Sequence, residues 1–365
     1  MLLLVNTGYA SDSGIQYPID TDADDWKSMS YEEALEKTNI DEAVLEQLST
    51  EEVLELALKY PFLVDIYAFE SIEEGIRTVS ERSAVLSDFW GREDNAQIIL
   101  GKLLDISVSQ QYLLNTDGYF EYTNLLLFIS RECIVEKLSA GEKLQLKEKL
   151  LCDAEIIAEM DSDFTIDEKI EAFIDELNAE PTPLLYSTSN GFVGNGCLLY
   201  LSNGARYCEG RYYKYGTSAL SYLYVSNDWS STEKSQMDSQ TATAHPSWTK
   251  LETASRKYNC HAYAWLNESN IWLNDPTNFS NASAYIQSLG VDCAVPGSGS
   301  IITIWNSSLQ HSAVACNASS GLSKTARLTT TYVISKLGSN GLYRTTLNDV
   351  YTLYNGNYYH VYQVR

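Results

Sequence analysis

A chain of 365 residues with 49 acidic and 25 basic side chains carries a formal charge of −24, and the excess sits in its first half: residues 1–180 hold 40 of the acids and 13 of the bases. That division argues against a nucleic-acid partner, whose phosphates would be repelled over one half and little attracted over the other. No run of about eighteen apolar residues occurs, which argues against a membrane-spanning helix, and the length suffices for two domains of ordinary size.

The first residues, 1–11, read as the tail of a secretory signal, with apolar residues leading to a small one, and a polar linker follows to about residue 29. From 30 to 180 the pattern is helical. Ser49-Thr50-Glu51-Glu52 forms a capping box ahead of an apolar run, and Pro61 ends or reorients that helix. Ser71-Ile72-Glu73-Glu74 starts another, with Ile76 and Val79 spaced for one buried face. Further helices are expected over 82–90, 94–104, 118–137, 140–160 and 166–178. This region holds no histidine, so it offers little material for catalysis.

Glu180-Pro181-Thr182-Pro183 marks a change of regime. Strand patterns then dominate over 181–365. A hairpin is expected from 191–201 and 205–213 about Asn203-Gly204, with a further strand at 219–225. Residues 226–249 read as a polar surface excursion. A helix begins at Cys260, and strands are expected at 301–305, 311–316, 326–335 and 358–364. The class is therefore α+β: an N-terminal all-α domain over 30–180, then an α+β domain with an antiparallel sheet.

Seven cysteines leave one over if three pair, and Cys260 is the natural odd one. Cys197–Cys208, Cys293–Cys316 and Cys133–Cys152 are the pairs considered, with free thiols as the alternative. No CxxC occurs, and neither a metal nor an organic cofactor is implied.

The chemistry gathers in Tyr258-Asn259-Cys260-His261-Ala262-Tyr263-Ala264-Trp265 and in Gln310-His311-Ser312-Ala313-Val314. Thiol enzymes place the nucleophile at a helix N-terminus near cations, here Arg256-Lys257, and bring an imidazole to it from a rigid strand. Cys260 is the candidate nucleophile and His311 the candidate base. His261 diverges from its neighbour by about 100° on a helix and is not expected to serve Cys260. The third group, which would orient the imidazole, is taken as Ser335, with Asp349 as the alternative. Asn259 and Tyr258 are the local candidates for the oxyanion or substrate site. The bland reading is a buried structural cysteine beside Tyr263 and Trp265.

These segments, with Trp272-Leu273-Asn274-Asp275-Pro276 and Ser335-Lys336-Leu337-Gly338, resemble secreted bacterial papain-like amidases related to the NlpC/P60 and CHAP groups. The resemblance covers roughly 185–365. It implies a papain-like fold, hydrolysis of an amide in peptidoglycan peptide or protein, and a secreted or cell-surface location in a Gram-positive organism. The helical region resembles one that accompanies such domains, and contact between the two parts is expected. The chain departs from the group in having Asn259-Cys260-His261-Ala262 for Asp-Cys-Ser-Gly, and Leu337 where relatives often carry tryptophan. A degenerate, non-catalytic binding or adhesion module is the rival reading.

Overall fold

The computed structural model describes residues 16–21, 23–69, 71–159, 173–174, 177, 199–200, 206–213, 219–225, 228–267, 269–273, 286–291, 295–319 and 323–364. Its N-terminal part is helical, from Asp24–Ser28 through Thr50–Leu58, Ile72–Ser80, Asn95–Asp105 and Thr116–Ile129 to Ala140–Glu159. The starts follow from the sequence. Ser49 accepts from Glu52 N while the Glu52 carboxylate takes Ser49 N at 2.8 Å, and Ser71 accepts from Glu74 N. Such caps stabilise a helix by about 1 kcal/mol each. The helix expected over 118–137 breaks at Ser130 and resumes as Glu132–Val135. Pro61 is followed by a 3₁₀ turn, Leu63–Ala68, all six residues of which are buried. Most of the helix expected over 166–178 lies outside the described residues.

The strands are β1 (Leu199–Tyr200), β2 (Arg206–Tyr213), β3 (Ala219–Val225), β4 (Thr249–Glu252), β5 (Ile271–Leu273), β6 (Ile286–Val291), β7 (Ile301–Trp305), β8 (Leu309–Ala315), β9 (Tyr332–Lys336), β10 (Leu342–Thr346) and β11 (Tyr358–Val364). They form two sheets, β1-β2-β3-β5 and β4-β10-β9-β8-β7-β11-β6, in which the registered pairs are antiparallel. The fold is α+β. Among the described residues no helix is long and apolar enough to cross a membrane.

Two expectations fail. Residues 226–249 are not a surface excursion: a helix, Ser231–Ala244, opens on a Ser230–Glu233 capping box and buries Glu233, Gln236, Met237, Asp238 and Thr241. Its buried side is largely polar, so no apolar periodicity marked it. The strand expected over 326–335 is a helix, Lys324–Thr330, and then β9. Of the cysteine pairs considered, Cys133–Cys152 and Cys293–Cys316 do not form, and the free-thiol alternative holds for the cysteines concerned. Cys133 and Cys152 are both free, on exposed parts of their helices, and Cys316 is free too. Cys197 and Cys293 lie outside the described residues.

The sequence changes regime near 180, but the packing runs across it. One core contains Trp26, Phe62, Ile66 and Phe128 from the helical part together with Ile302, Ala313, Val333 and Val350 from the sheet part. Directional bonds cross as well. Trp26 Nε1 donates to Thr243 O at 2.8 Å, Gln236 Nε2 to Leu113 O at 2.7 Å, and Tyr354 Oη to Ala68 O at 2.6 Å. The Asp65 carboxylate meets His245 Nε2 and Tyr31 Oη, both at 2.6 Å, and His245 stacks on Trp248 at 3.6 Å.

Candidate functional site

Cys260 begins a short helix that runs on as a π-helical turn, Ala262–Leu266. Asn259 explains why it starts there. Its Oδ1 accepts from Ala262 N at 3.0 Å, an N-cap bond, and from Leu273 N at 3.1 Å. Its Nδ2 donates to Leu273 O at 3.0 Å. The amide thus behaves as a piece of strand, pinning the turn to β5. Tyr258 is also engaged, donating its hydroxyl to the Glu252 carboxylate at 2.6 Å. Burial, and then that carboxylate, raise the Tyr258 phenol.

The run that leads into Cys260 is held by two carboxylates that the sequence did not single out. Asp238 takes Lys250 Nζ at 2.6 Å, Thr253 Oγ1 at 2.7 Å and Ala254 N at 2.9 Å. Asp228 takes Ser255 Oγ at 3.1 Å, Arg256 N at 3.0 Å and Lys234 Nζ at 2.7 Å. Arg256 is wholly buried, with its guanidinium 4.4 Å from the centre of the Trp229 ring.

Lys336, at the end of β9, completes this side. Its ammonium donates to Ser255 O at 2.7 Å, to Asn340 O at 2.6 Å and to Gly338 O, and lies 4.7 Å from the centre of the Tyr258 ring. Burying an ammonium costs several kcal/mol, and three charge-assisted bonds of about 1.5–3 kcal/mol each are of the size needed to offset it. Burial pulls Lys336 from 10.5 down to about 7, against the opposing pull of Asp228, Cys260 and Glu252.

His311 and Ser335 meet, as expected. His311 Nε2 lies 2.6 Å from Ser335 Oγ, and the ring stacks on Tyr354 with centres 4.1 Å apart. Among the described residues, His311 Nδ1 is buried with no hydrogen-bond partner, which costs about 1–3 kcal/mol. Burial, and then the neighbouring His261, hold the imidazole well below its usual range, so it is neutral near pH 7. Asp349 does not join this pair. It accepts from Thr345 Oγ1 at 2.6 Å and closes the capping box of the helix Leu347–Leu353.

The two halves of the expected dyad stand on different faces of the sheet. Successive side chains of a strand alternate. His311 shares its side with Ala313 and Ala315, and Ser335 with Val333 and Leu337, all of them core residues. Ser312 and Lys336 point the other way, where the Cys260 helix packs. There His261 Nδ1 lies 2.8 Å from Ser312 Oγ, and Trp265 Nε1 donates to the same hydroxyl at 3.0 Å. No hydrogen bond joins Cys260 to His311 among the described residues. The imidazoles on the face where the Cys260 helix packs are His261, whose Nδ1 meets Ser312, and His360, whose neighbour Tyr362 meets Trp265. The β7–β8 register is regular from Ile301↔Val314 to Ile304↔His311 and slips only beyond it, before Trp305↔Leu309.

Among the described residues no group of three or more His, Cys, Asp or Glu side chains gathers as a metal site. Compared with protein-family models, curated proteins and solved structures, the chain matches none.

Proposed function

We propose that this chain is a secreted or cell-surface thiol hydrolase that cleaves an amide in cell-wall peptide or protein on a papain-like scaffold, with Cys260 as nucleophile. The observation that carries the reading is the setting of Cys260. It opens a helix capped by Asn259, and Arg256, His261, Ser312 and Lys336, which lie on this segment or bond to it, are all buried. Buried ionisable groups are costly, and their concentration around one cysteine favours a reactive centre over a packing residue.

In the proposed reaction the Cys260 thiolate adds to the amide carbon. The tetrahedral adduct collapses with cleavage of the C–N bond, and the amine leaves with a proton from an imidazolium. Water then adds to the thioester, and cleavage of the C–S bond gives the acid and restores the thiol.

A second reading, a non-catalytic binding module, is favoured by one observation: His311 and Cys260 lie on different faces of the sheet. Site-resolved alkylation of Cys260 against pH, in wild type, His311→Ala and His261→Ala, separates the alternatives, with exposed Cys133 and Cys152 as standards within the same molecule. Cys260 is expected to outpace both standards near neutrality although it is only 3% exposed. Loss of that rate in one histidine variant names the base. Slow reaction in all three proteins supports the binding module, and amide cleavage retained by Cys260→Ala would sink the hydrolase.

A further inference from the structure

The hairpin between β9 and β10 is gripped from two sides. From the helical part, Tyr67 O accepts Ser339 N at 2.8 Å and Val64 O accepts Asn340 Nδ2 at 3.4 Å. Gly338, at φ +49°, fits so closely that a Cβ there would stand 2.5 Å from Tyr67 O. From the other side, Ser339 O accepts Ser255 N at 3.1 Å and Trp229 Nε1 at 3.2 Å. Lys336 lies between the grips. Two of its acceptors, Gly338 O and Asn340 O, belong to the hairpin, and the third, Ser255 O, is five residues ahead of Cys260.

We infer that Lys336 is a positioning residue for Cys260, fastening the 255–258 run to the hairpin that the helical part holds in place. An apolar side chain of the same length would fill the volume and leave three carbonyls bare, whereas the ammonium supplies one N–H to each. The same cation stands over Tyr258, so it touches the lead-in run at two points. The links run from Tyr67 O to Ser339 N, from the flanking Gly338 O and Asn340 O to Lys336 Nζ, and from Lys336 Nζ to Ser255 O, five residues along the backbone from Cys260. The inference rests on Cys260 as the reactive group of the hydrolase reading. Its test reads backbone exchange, so a chain without turnover still decides it.

Hydrogen exchange of the whole 365-residue chain, resolved by peptide, provides that test. In Lys336→Met the amides of 253–262 are expected to exchange at least about tenfold faster than in wild type, because local opening becomes easier. The helix Thr116–Ile129 is expected to be unchanged. Gly338→Ala should loosen the same segment with Lys336 still present. In Lys336→Ala, n-propylammonium should restore slow exchange and n-propanol should not, a distinction that a packing role would not produce. Exchange over 253–262 within about twofold of wild type in Lys336→Met, or equal restoration by the alcohol, overturns the inference. If Lys336→Met does not fold, Gly338→Ala carries the test, and unchanged exchange over 253–262 in that variant overturns it.

Discussion

His311 and Lys336, titratable side chains on neighbouring strands, are sealed from water on different faces of one sheet, His311 against Tyr354 and Lys336 beneath Tyr258. Both are shifted toward their neutral forms by burial, and the sign of the effect on stability follows. Below about pH 6.5 the unfolded chain binds a proton at residue 311 that the native chain refuses, so stability falls as pH falls. For Lys336 the window lies between about 7 and 10.5: there too the unfolded chain holds the extra proton, and stability rises with pH. Each group contributes a slope of at most about 1.4 kcal/mol per pH unit. Thermal melting from pH 5 to 9 is expected to rise less steeply in His311→Gln below pH 6.5, and less steeply in Lys336→Met above pH 7. Parallel profiles for wild type and both variants would refute the assignment. Deprotonation of Lys336 also removes one N–H, leaving one of its three carbonyls without a donor.

At the scale of elements, the helix Ser231–Ala244 organises the approach to the candidate site, because Asp238 and the adjoining Asp228 hold residues 250–256. Asp238→Asn is expected to destabilise the protein by about 2–3 kcal/mol, since charge-assisted bonds to Lys250, Thr253 and Ala254 weaken together. Ser230→Ala removes one cap and should cost about 1 kcal/mol. Denaturant titration ranks the two, and a larger loss for Ser230→Ala would mean that the carboxylate bonds are not what holds this run. Legibility in the sequence divides along the same physical line. Ser49 and Ser71 could be read because caps are local and are followed by apolar periodicity. Ser230 carries the same capping signature, but the helix behind it buries Glu233, Gln236 and Asp238 and shows no apolar stripe. The Cys260 helix and the His311 strand were each legible for the same local reason. Which face each presents was not, since register is set by distant pairing and a slip of one residue turns every side chain over.

Over the whole molecule, a formal charge near −27 on residues 1–180 suggests a detachable solvated half, yet the core is continuous across the boundary. Among the described residues most acidic side chains of these helices lie toward solvent, Asp65 and Asp153 excepted, while Trp26, Phe62 and Ile66 pack into the core they share with the sheet part. A chain of residues 181–365 alone would lose the Tyr67 and Ala68 carbonyls that receive Ser339 and Tyr354, and would expose the apolar face they cover. It is expected to lack a cooperative thermal transition, whereas the full chain should melt in one. A cooperative melt of the fragment at the same temperature as the intact protein would contradict the shared core.

The bond from the Tyr354 hydroxyl to Ala68 O joins residues 286 positions apart, and this has a consequence for biosynthesis. The early helices reach the ribosome exit long before the residues that close their core have been translated. The helical part must therefore wait, with apolar surface uncovered, until the strands and Tyr354 that cover it emerge. Non-local closure of this kind makes folding slow and late. A chain that cannot complete its core until partners 286 positions further on have been made stays threadable for that time, and depends on whatever shields a nascent chain from its neighbours.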